Sequence, residues 1–252
     1  MAQPDPFDLL WRASDYLRDY YSEVQEDERH TIRYLVEQMG AAPEGPVVCF
    51  GSGPTLHHVF LAAARATELY LADYLVRNLE ELERWRVRAP DAHDWTPFVR
   101  YTLACETGSQ PSEAEILARM EMLRGRMAGL VQADAGLVDP MGPAFRGRFA
   151  TVISPFCADS ITDDKVLWAR FSRNIASLVR PAGLMLTSAL RHCRSYRVGN
   201  RSFPSADVDE ADLRAVLAQD FLADSISVEV RETPEHLDQG YSSILLATAR
   251  KA

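Results

Sequence analysis

Apolar side chains recur at helical spacing along the first forty residues. The first positions to recur are Leu17, Tyr20, Tyr21 and Val24. Residues 32–39 repeat the three- and four-residue spacing that places apolar side chains on one helical face. Gly40 and the proline-containing stretch up to Pro46 then interrupt the pattern. We therefore predict a helical N-terminal segment over residues 1–45.

From residue 46 onward, short apolar runs alternate with amphipathic stretches. They predict strands over 47–50, 69–72, 130–132, 149–154, 183–190, 226–231 and 243–249, and helices over 56–65, 75–86, 112–123, 165–178 and 210–219. Ser112 and Glu115 match a capping box at the start of one helix. This alternation is typical of a mostly parallel sheet with helices on both faces, where ligands bind at the carboxyl ends of the strands. We predict an α/β fold with one Rossmann-like domain over residues 46–252.

The stretch PVVCFGSGPTLHHVFLAA, residues 46–63, joins a strand to a predicted helix through a glycine elbow. A Walker loop is excluded because no lysine follows Gly53. A dinucleotide fingerprint is disfavoured because the bulky Leu56 stands where a third glycine is needed. Asp73 ends the next strand, at about the 20-residue spacing of an acid that binds a ribose. These features favour S-adenosylmethionine, although a plain tight turn would explain the glycines alone.

Composition narrows the functional classes. The net charge of −9 argues against nucleic-acid binding, which requires basic patches. The four cysteines lie far apart, so neither a disulfide framework nor a zinc site is expected. No apolar run reaches the roughly 20 residues that span a bilayer, and the N-terminus lacks the layout of a signal peptide. We expect a cytoplasmic enzyme with no nucleic-acid or membrane partner, either monomeric or weakly homo-oligomeric.

Five stretches carry a resemblance to a known family. They are DYLRDYYSE (15–23), GSGPT (51–55), DYLVRNLEELERW (73–85), PDAHDWTPFVRY (90–101) and SPFCADSI (154–161). Over residues 11–250 the chain resembles the nicotinamide, phenylethanolamine and indolethylamine N-methyltransferases. The resemblance implies a class I methyltransferase sheet with an antiparallel closing strand and a helical N-terminal lid. It also implies S-adenosylmethionine as methyl donor, S-adenosylhomocysteine as product, and N-methylation of a small amine or nitrogen heterocycle.

The resemblance assigns expected roles to individual residues. Tyr16 and Tyr21 would close over the cofactor, Asp73 would bind the ribose with support from Asn78, and Asp134 would help to recognise the adenine. The complete predicted cofactor set is Tyr16, Tyr21, Gly51, Ser52, Gly53, Thr55, Asp73, Tyr74, Asn78, Asp134, Ala135, Pro155 and Phe156. Plain core packing of the tyrosines and a loop role for Asp134 remain the alternatives.

The acceptor is less well defined because several positions depart from the family pattern. Cys49 replaces an acid, His57 a frequent tyrosine and Pro155 a threonine, while Ser188 stands near the position of an acceptor-binding acid. The predicted acceptor contacts are Tyr20, Ser188, Tyr196 and Ser205. Methylation of sulfur, oxygen or carbon therefore stays open. So do a non-catalytic cofactor-binding scaffold and, more remotely, a dinucleotide oxidoreductase.

Transfer of a methyl group from a sulfonium mainly requires alignment of the reactants. No metal-ligand spacing is present, so no metal is expected, and His57 and His58 are interpreted as a helix face with one ring near the cofactor. A basic amine must lose a proton, and Asp159 and His192 are the candidate acceptors for it. Asp159 could instead cap a helix that begins near Asp163.

An arginine-rich segment follows the fifth predicted strand. It spans residues 191–205 and contains Arg191, Arg194, Arg197 and Arg201. One interpretation is a solvated hairpin, which is common for charge runs. The other is an acceptor that carries a carboxylate or phosphate, because the arginine guanidinium binds such groups in a bidentate way.

Overall fold

A seven-stranded sheet lies at the centre of the computed structural model, which describes residues 6–252. The strands of this sheet and of a separate hairpin are β1 (Gly45–Phe50), β2 (Ala66–Asp73), β3 (Met127–Gln132), β4 (Phe149–Pro155), β5 (Val179–Leu190), β6 (Ser195–Val198), β7 (Arg201–Pro204), β8 (Ser227–Glu232) and β9 (Ser243–Arg250). The sheet order is β3-β2-β1-β4-β5-β9-β8. Strands β1 to β5 pair in parallel, and β9 runs antiparallel to β5 and β8. The predicted Rossmann-like fold class is confirmed.

Helices cover the sheet and its carboxyl edge. They are α1 (Pro6–Leu10), α2 (Ala13–Tyr21), α3 (Glu26–Met39), α4 (Val76–Arg86), α5 (Thr96–Thr107), α6 (Glu113–Arg126), α7 (Lys165–Ala176) and α8 (Glu210–Leu217). The predicted capping box is confirmed, since Ser112 and Glu115 satisfy each other's backbone N–H groups. Within residues 6–252, no helix has both the length and the apolar character that a membrane crossing needs.

Side chains of each strand alternate between two apolar layers, as strand geometry requires. In β1, Val47 and Cys49 pack in the layer that contains α2 to α6, whereas Val48 and Phe50 pack in the layer that contains α7 and α8. The hairpin of β6 and β7 adds a smaller surface beside α2. Because all five parallel strands end at the same edge, the loops that follow them meet there.

The N-terminal helices share the core of the sheet domain. Leu17 of α2 and Leu35 of α3 belong to the same buried cluster as Val47 of β1. Helix α3 also contacts α5, β8 and β9. The division into segments 1–45 and 46–252 stays a prediction, and residues 1–5 of the first segment lie outside the described residues.

One helix prediction was wrong, and one helix was missed. Residues 56–65 form consecutive turns and a short 3₁₀ helix, Ala62–Ala64, instead of an α-helix. His57 and His58 both direct their rings toward Glu28, whereas consecutive side chains of an α-helix diverge by about 100°. Helix α5 was not predicted, because the buried Thr102 interrupts its apolar stripe in the sequence.

Candidate active site

A cavity of about 300 Å³ opens at the carboxyl ends of β1 to β4. Its floor comes from the loops after these strands, residues 50–55, 73–78, 133–136 and 155–157. Its roof comes from the N-terminal helices through Phe7, Trp11, Tyr16, Tyr20 and Tyr21. The volume lies at the lower end of the range of roughly 300–1,000 Å³ for small-molecule sites.

The glycine elbow after β1 depends on two backbone conformations that disfavour side chains. Gly51 and Gly53 have φ angles of 68° and 58°, where glycine has no Cβ penalty. The Gly51 N–H donates to the carbonyl of Ala72 over 2.8 Å. A Cβ on Gly51 would collide with Sγ of Cys157, which also lines the cavity. The elbow therefore exposes its backbone to the cavity and excludes any larger residue at position 51.

Asp73, the last residue of β2, accepts three hydrogen bonds from the protein. Its Oδ2 accepts from the Gly53 N–H at 2.8 Å, and its Oδ1 accepts from the Leu75 N–H and the Asn78 amide, both at 2.9 Å. Burial raises the pKa of Asp73, and these three donors counteract that rise. A carboxylate has about four acceptor positions, so about one stays available to a ligand in the cavity.

Asn78 connects the floor of the cavity to its roof. Its Nδ2 donates to Asp73, and its Oδ1 accepts from the indole Nε1 of Trp11 at 2.9 Å. Arg77 adds a bond from Nη1 to the Trp11 carbonyl at 3.0 Å. The segment between α1 and α2 is thus attached to the first turn of α4.

The loop after β3 forms a tight turn at the far end of the cavity. The Asp134 N–H donates to the Pro140 carbonyl at 2.9 Å, and Asp134 Oδ1 accepts from the Gly136 N–H at 2.7 Å. The Asn174 amide of α7 donates to the Ala135 carbonyl at 2.8 Å. These bonds fix Asp134 and Ala135 in the cavity wall.

Tyrosines form the roof on the side of α2. The hydroxyls of Tyr16 and Tyr21 lie 3.1 Å apart, and the Tyr20 hydroxyl donates to the Arg197 carbonyl of β6 at 2.6 Å. Burial raises the pKa of Tyr16, Tyr20 and Tyr21. All three hydroxyls are therefore protonated at neutral pH. Since Tyr20 donates to Arg197 and one of Tyr16 and Tyr21 donates to the other, one hydroxyl proton of the Tyr16–Tyr21 pair stays available to a ligand.

Among residues 6–252, four carboxylates and one histidine are the acidic and basic side chains of the cavity wall. The carboxylates are Asp27, Glu28, Asp73 and Asp134. No lysine or arginine from this part of the chain lines the cavity. A wall of one sign attracts ligands of the opposite charge, so the site suits a cationic ligand.

Asp27 and Glu28, in the first turn of α3, each have histidine partners. Asp27 Oδ1 lies 2.9 Å from His236 Nε2, and Asp27 Oδ2 accepts from the Tyr241 hydroxyl at 3.0 Å. Glu28 Oε2 lies 2.7 Å from His57 Nε2 and 3.4 Å from His58 Nε2. Both residues are buried, with 5% and 3% of their surface exposed, and they contact the outside of the protein only through the cavity.

The protonation states of this group follow from burial and pairing. Burial alone would raise the pKa of Glu28, but the two histidines beside it outweigh that effect and hold the pKa well below its usual value. Burial lowers the pKa of His57 to about 4, against the attraction of Glu28. The two histidines therefore favour the ionised form of Glu28, whereas burial favours the neutral form of His57.

Comparison with known proteins decides the family. The sequence pattern of the NNMT/PNMT/TEMT family matches residues 2–252. The chain belongs to the NNMT/PNMT/TEMT family. It is 28% identical to the indolethylamine N-methyltransferase of Oryctolagus cuniculus, over 86% of this chain and 84% of that protein. It is 26% identical to the nicotinamide N-methyltransferase of Homo sapiens, over 81% of this chain and 79% of that protein.

Solved structures agree with the fold of this NNMT/PNMT/TEMT family member. The CurJ carbon methyltransferase superposes with a TM-score of 0.59 at 12% identity, over 99% of this chain and 61% of that chain. The DhpI–SAH complex superposes with a TM-score of 0.52 at 17% identity, over 96% and 92%. The predicted family is confirmed, and with it the methyltransferase class and S-adenosylmethionine as methyl donor.

The residues present fit S-adenosylmethionine. The open acceptor position of Asp73 suits a ribose hydroxyl, and the fixed turn at Asp134 suits the adenine. The free hydroxyl proton of the Tyr16–Tyr21 pair suits the methionine carboxylate, and the acidic wall suits the ammonium and sulfonium charges. Every residue of the predicted cofactor set lines this cavity, while their individual roles stay predictions.

The predicted acceptor and catalytic residues are divided between the cavity and its surroundings. Tyr20 and Tyr196 line the cavity, whereas the buried Ser188 and Ser205 lie behind its wall. His192 is exposed to solvent outside the cavity.

Asp159 also lies behind the wall of the cavity. It is buried, and its Oδ2 accepts from the Leu190 N–H at 2.9 Å and the Ser160 hydroxyl at 3.2 Å. The alternative role of Asp159 as a helix cap was wrong, because Asp164 caps α7.

The arginine-rich segment forms the hairpin of β6 and β7. Its apolar side chains face the core, while Arg194, Arg197 and Arg201 are exposed. Arg191 pairs with Glu210 and Arg194 with Asp207, each at 2.9 Å. None of the four arginines lines the cavity, so the geometry favours the solvated hairpin.

Sequence reasoning missed Asp27, Glu28, His236 and Tyr241. Glu26, Asp27 and Glu28 form the kind of acidic first turn that stabilises many helices through the helix dipole. Because this common role explains the three acids, the sequence gives no reason to predict that two of them line a cavity. His236 lies in a short 3₁₀ helix, Pro234–Gln239, and Tyr241 follows it, in a stretch with no recognisable motif. Only the packing of α3 against the end of the chain brings them to Asp27.

Proposed function

We propose that this protein transfers a methyl group from S-adenosylmethionine to the nitrogen of a small amine or nitrogen heterocycle. The acceptor binds as a cation and gives up its proton to Asp27 or to solvent, so that the free-base nitrogen attacks the methyl carbon and S-adenosylhomocysteine leaves. The observation that carries the proposal is the composition of the cavity wall. Among its described residues it has four carboxylates, three roof tyrosines and no lysine or arginine. An anionic acceptor would be repelled there, whereas an ammonium group gains both ionic and cation–π stabilisation.

Asp27 is the carboxylate best arranged to hold the acceptor ammonium. The Tyr241 hydroxyl, His236 and the Glu28 N–H fix both of its oxygens within 3.0 Å. It lines the cavity together with Tyr20 and Tyr241. A charge that is fixed before the ligand arrives needs little reorganisation on binding. Asp27 therefore takes the place of the family acid that is absent at Ser188.

The chain's own residues align the reactants and exclude water. When bound, S-adenosylmethionine supplies a methyl group on a sulfonium, which needs no further activation. Trp11 and Tyr20 attach the roof to Asn78 and to the Arg197 carbonyl. A closed roof excludes water and thereby strengthens the electrostatic interactions inside the cavity.

Two measurements test the proposal. Calorimetry should detect binding of S-adenosylmethionine and none of NAD. Formation of S-adenosylhomocysteine should then be followed with panels of aliphatic amines, pyridines, thioethers and amino acids. Cationic amines should react best. Turnover of thioethers or anionic compounds without turnover of amines would contradict N-methylation, and absence of S-adenosylmethionine binding would contradict the whole proposal.

Asp27→Asn isolates the acceptor contact. It should raise the KM for the amine about tenfold or more, because a charge-assisted hydrogen bond contributes about 1.5–3 kcal/mol. The affinity of this variant for S-adenosylmethionine should change little, because Asp27 is assigned to the acceptor and not to the cofactor. The matched control is Asp238→Asn, which replaces an exposed acid in the same 3₁₀ helix as His236 and should leave the KM unchanged. A cytoplasmic location and a monomeric or weakly associating state stay predictions from composition.

A further inference from the structure

Three side chains converge at one wall of the cavity in a way that methyl transfer does not require. Glu28, His57 and His58 are all buried, and one potential ligand atom from each lies within 4.8 Å of the others. Glu28 Oε2 is 2.7 Å from His57 Nε2 and 3.4 Å from His58 Nε2. The two imidazole rings are 3.6 Å apart between centroids. The turn over residues 56–65 permits this convergence of consecutive side chains.

The polar atoms of this group lack hydrogen bonds despite their proximity. Glu28 Oε2, His57 Nε2 and His58 Nε2 are buried and have no partner with hydrogen-bond geometry among residues 6–252. Leaving a buried polar atom unsatisfied costs about 1–3 kcal/mol. Three such atoms within 4.8 Å of one another indicate that a ligand belongs between them.

We propose that Glu28, His57 and His58 bind a divalent transition-metal ion of the zinc type. Two imidazoles and one carboxylate form a common donor set for such ions. Donor atoms about 2.1 Å from a tetrahedral ion lie about 3.4 Å apart. The Glu28–His58 separation already matches this spacing, and the Glu28–His57 separation would widen by about 0.7 Å.

The surroundings of these three residues indicate a metal site whose fourth coordination position is open to the cavity. Glu28 and His58 line the cavity, whereas His57 is fully buried behind them. Trp95 stacks parallel to the His57 ring, and Tyr21 packs beside it. Three protein ligands leave a fourth position for water or for a donor atom of the acceptor, as in catalytic zinc sites. The proposal does not depend on which atom the protein methylates.

The site can be tested on the full chain without a methylation assay. Elemental analysis of the purified protein, and titration of chelator-treated protein with Zn²⁺ against a chromophoric chelator, should give one ion per chain. Co²⁺ should give the visible absorption bands of a four-coordinate nitrogen–oxygen site. Glu28→Gln and His58→Gln should each weaken Zn²⁺ binding by at least about a hundredfold, since loss of only an outer contact typically costs 10- to 100-fold.

A matched control separates this site from surface binding. His30→Gln removes a partly exposed histidine from the same helix and should leave Zn²⁺ affinity unchanged. Thermal melts identify variants that fail to fold, and the wild-type titration needs no variant at all. Absence of stoichiometric Zn²⁺ and Co²⁺ binding by the wild type would overturn the proposal, as would equal affinity in wild type, Glu28→Gln and His58→Gln. Calorimetry with S-adenosylmethionine on metal-free protein tests the proposed function separately.

Discussion

The backbone N–H of Gly53 donates a 2.8 Å hydrogen bond to Oδ2 of Asp73. This bond joins the elbow after β1 to the end of β2, two parallel neighbours in the sheet. The carboxylate that is expected to bind the ribose therefore also fixes the glycine turn that is expected to contact the methionine end. One substitution at either position should disturb both parts of the cofactor site.

Replacing Asp73 with Ala should weaken S-adenosylmethionine binding at least tenfold. The variant loses a ligand acceptor whose charge-assisted bond contributes about 1.5–3 kcal/mol, and it leaves the Gly53 N–H without its partner. Calorimetry measures the affinity, and circular dichroism checks the fold. Asp73→Asn keeps the volume and should show a similar loss, while the exposed Asp91→Ala should show none. Unchanged affinity in a folded Asp73 variant would remove the ribose assignment.

Gly51→Ala should destabilise the fold more than an ordinary glycine substitution at positive φ. The new Cβ would combine the cost of a left-handed backbone, about 1–2 kcal/mol, with a collision against Cys157 Sγ. Gly108→Ala is the matched control, because its φ is 71° and no atom lies within 4 Å of the added Cβ. Urea denaturation should show the larger loss for Gly51→Ala, and Cys157→Gly in the same chain should restore part of it. Equal losses in the two alanine variants would rule out the collision.

Cofactor binding should slow hydrogen exchange in residues 10–25. These residues form the roof, and the bonds from Trp11 to Asn78 and from Tyr20 to the Arg197 carbonyl hold the roof closed. S-adenosylmethionine or S-adenosylhomocysteine would add contacts to the same residues. Trp11→Phe, which removes the indole donor, should reduce the protection, whereas Trp168→Phe on the opposite face of the sheet should not. Equal exchange rates with and without the cofactor would show that this segment is not a lid.

Arg194→Ala should change neither the acceptor KM nor the cofactor affinity by more than about 0.5 kcal/mol. The Arg194 side chain is 86% exposed, and its pair with Asp207 lies outside the cavity. Exposed ion pairs typically contribute about 0–1 kcal/mol. Steady-state kinetics with the identified acceptor provides the measurement. A thirtyfold rise in KM would instead restore the interpretation of this hairpin as an anion-binding segment.

Asp159 should make stability depend on pH. Burial raises its pKa from 3.8 to about 6, despite the donor groups of Leu190 and Ser160. Within that window the folded state binds the proton more tightly than the unfolded state does, so stability falls as pH rises and the carboxyl ionises. At about 1.4 kcal/mol per pKa unit, the wild type should lose up to about 3 kcal/mol relative to Asp159→Asn.

Denaturation of both proteins from pH 4 to pH 7 measures this difference. Asp238→Asn, which replaces an exposed carboxylate, serves as the control for general effects of pH. A constant difference between wild type and Asp159→Asn across the range would show that Asp159 does not titrate within it.

Local sequence determined the sheet and the floor of the cavity. Buried parallel strands read as continuous apolar runs, so β1, β4 and β9 were predicted close to their observed bounds. Gly51 and Asp73 could be predicted because Gly51 directly follows β1 and Asp73 ends β2. The carboxyl ends of neighbouring parallel strands lie at the same edge of the sheet, so these two residues meet there. Ser112 and Glu115 could be predicted because a capping box involves only residues within one helical turn.

Tertiary structure alone decided which side chains meet at the acceptor end. Asp27 receives its hydrogen bond from Tyr241, 214 residues away, and Glu28 meets His57 and His58 across the junction between α3 and the turn over residues 56–65. Each of these residues has an ordinary local interpretation, as an acidic first turn or as part of a helix face. Contacts between elements that are distant in sequence depend on how the faces of helices and strands pack against one another. The helical and strand periodicity of apolar residues predicts each element but does not specify that packing.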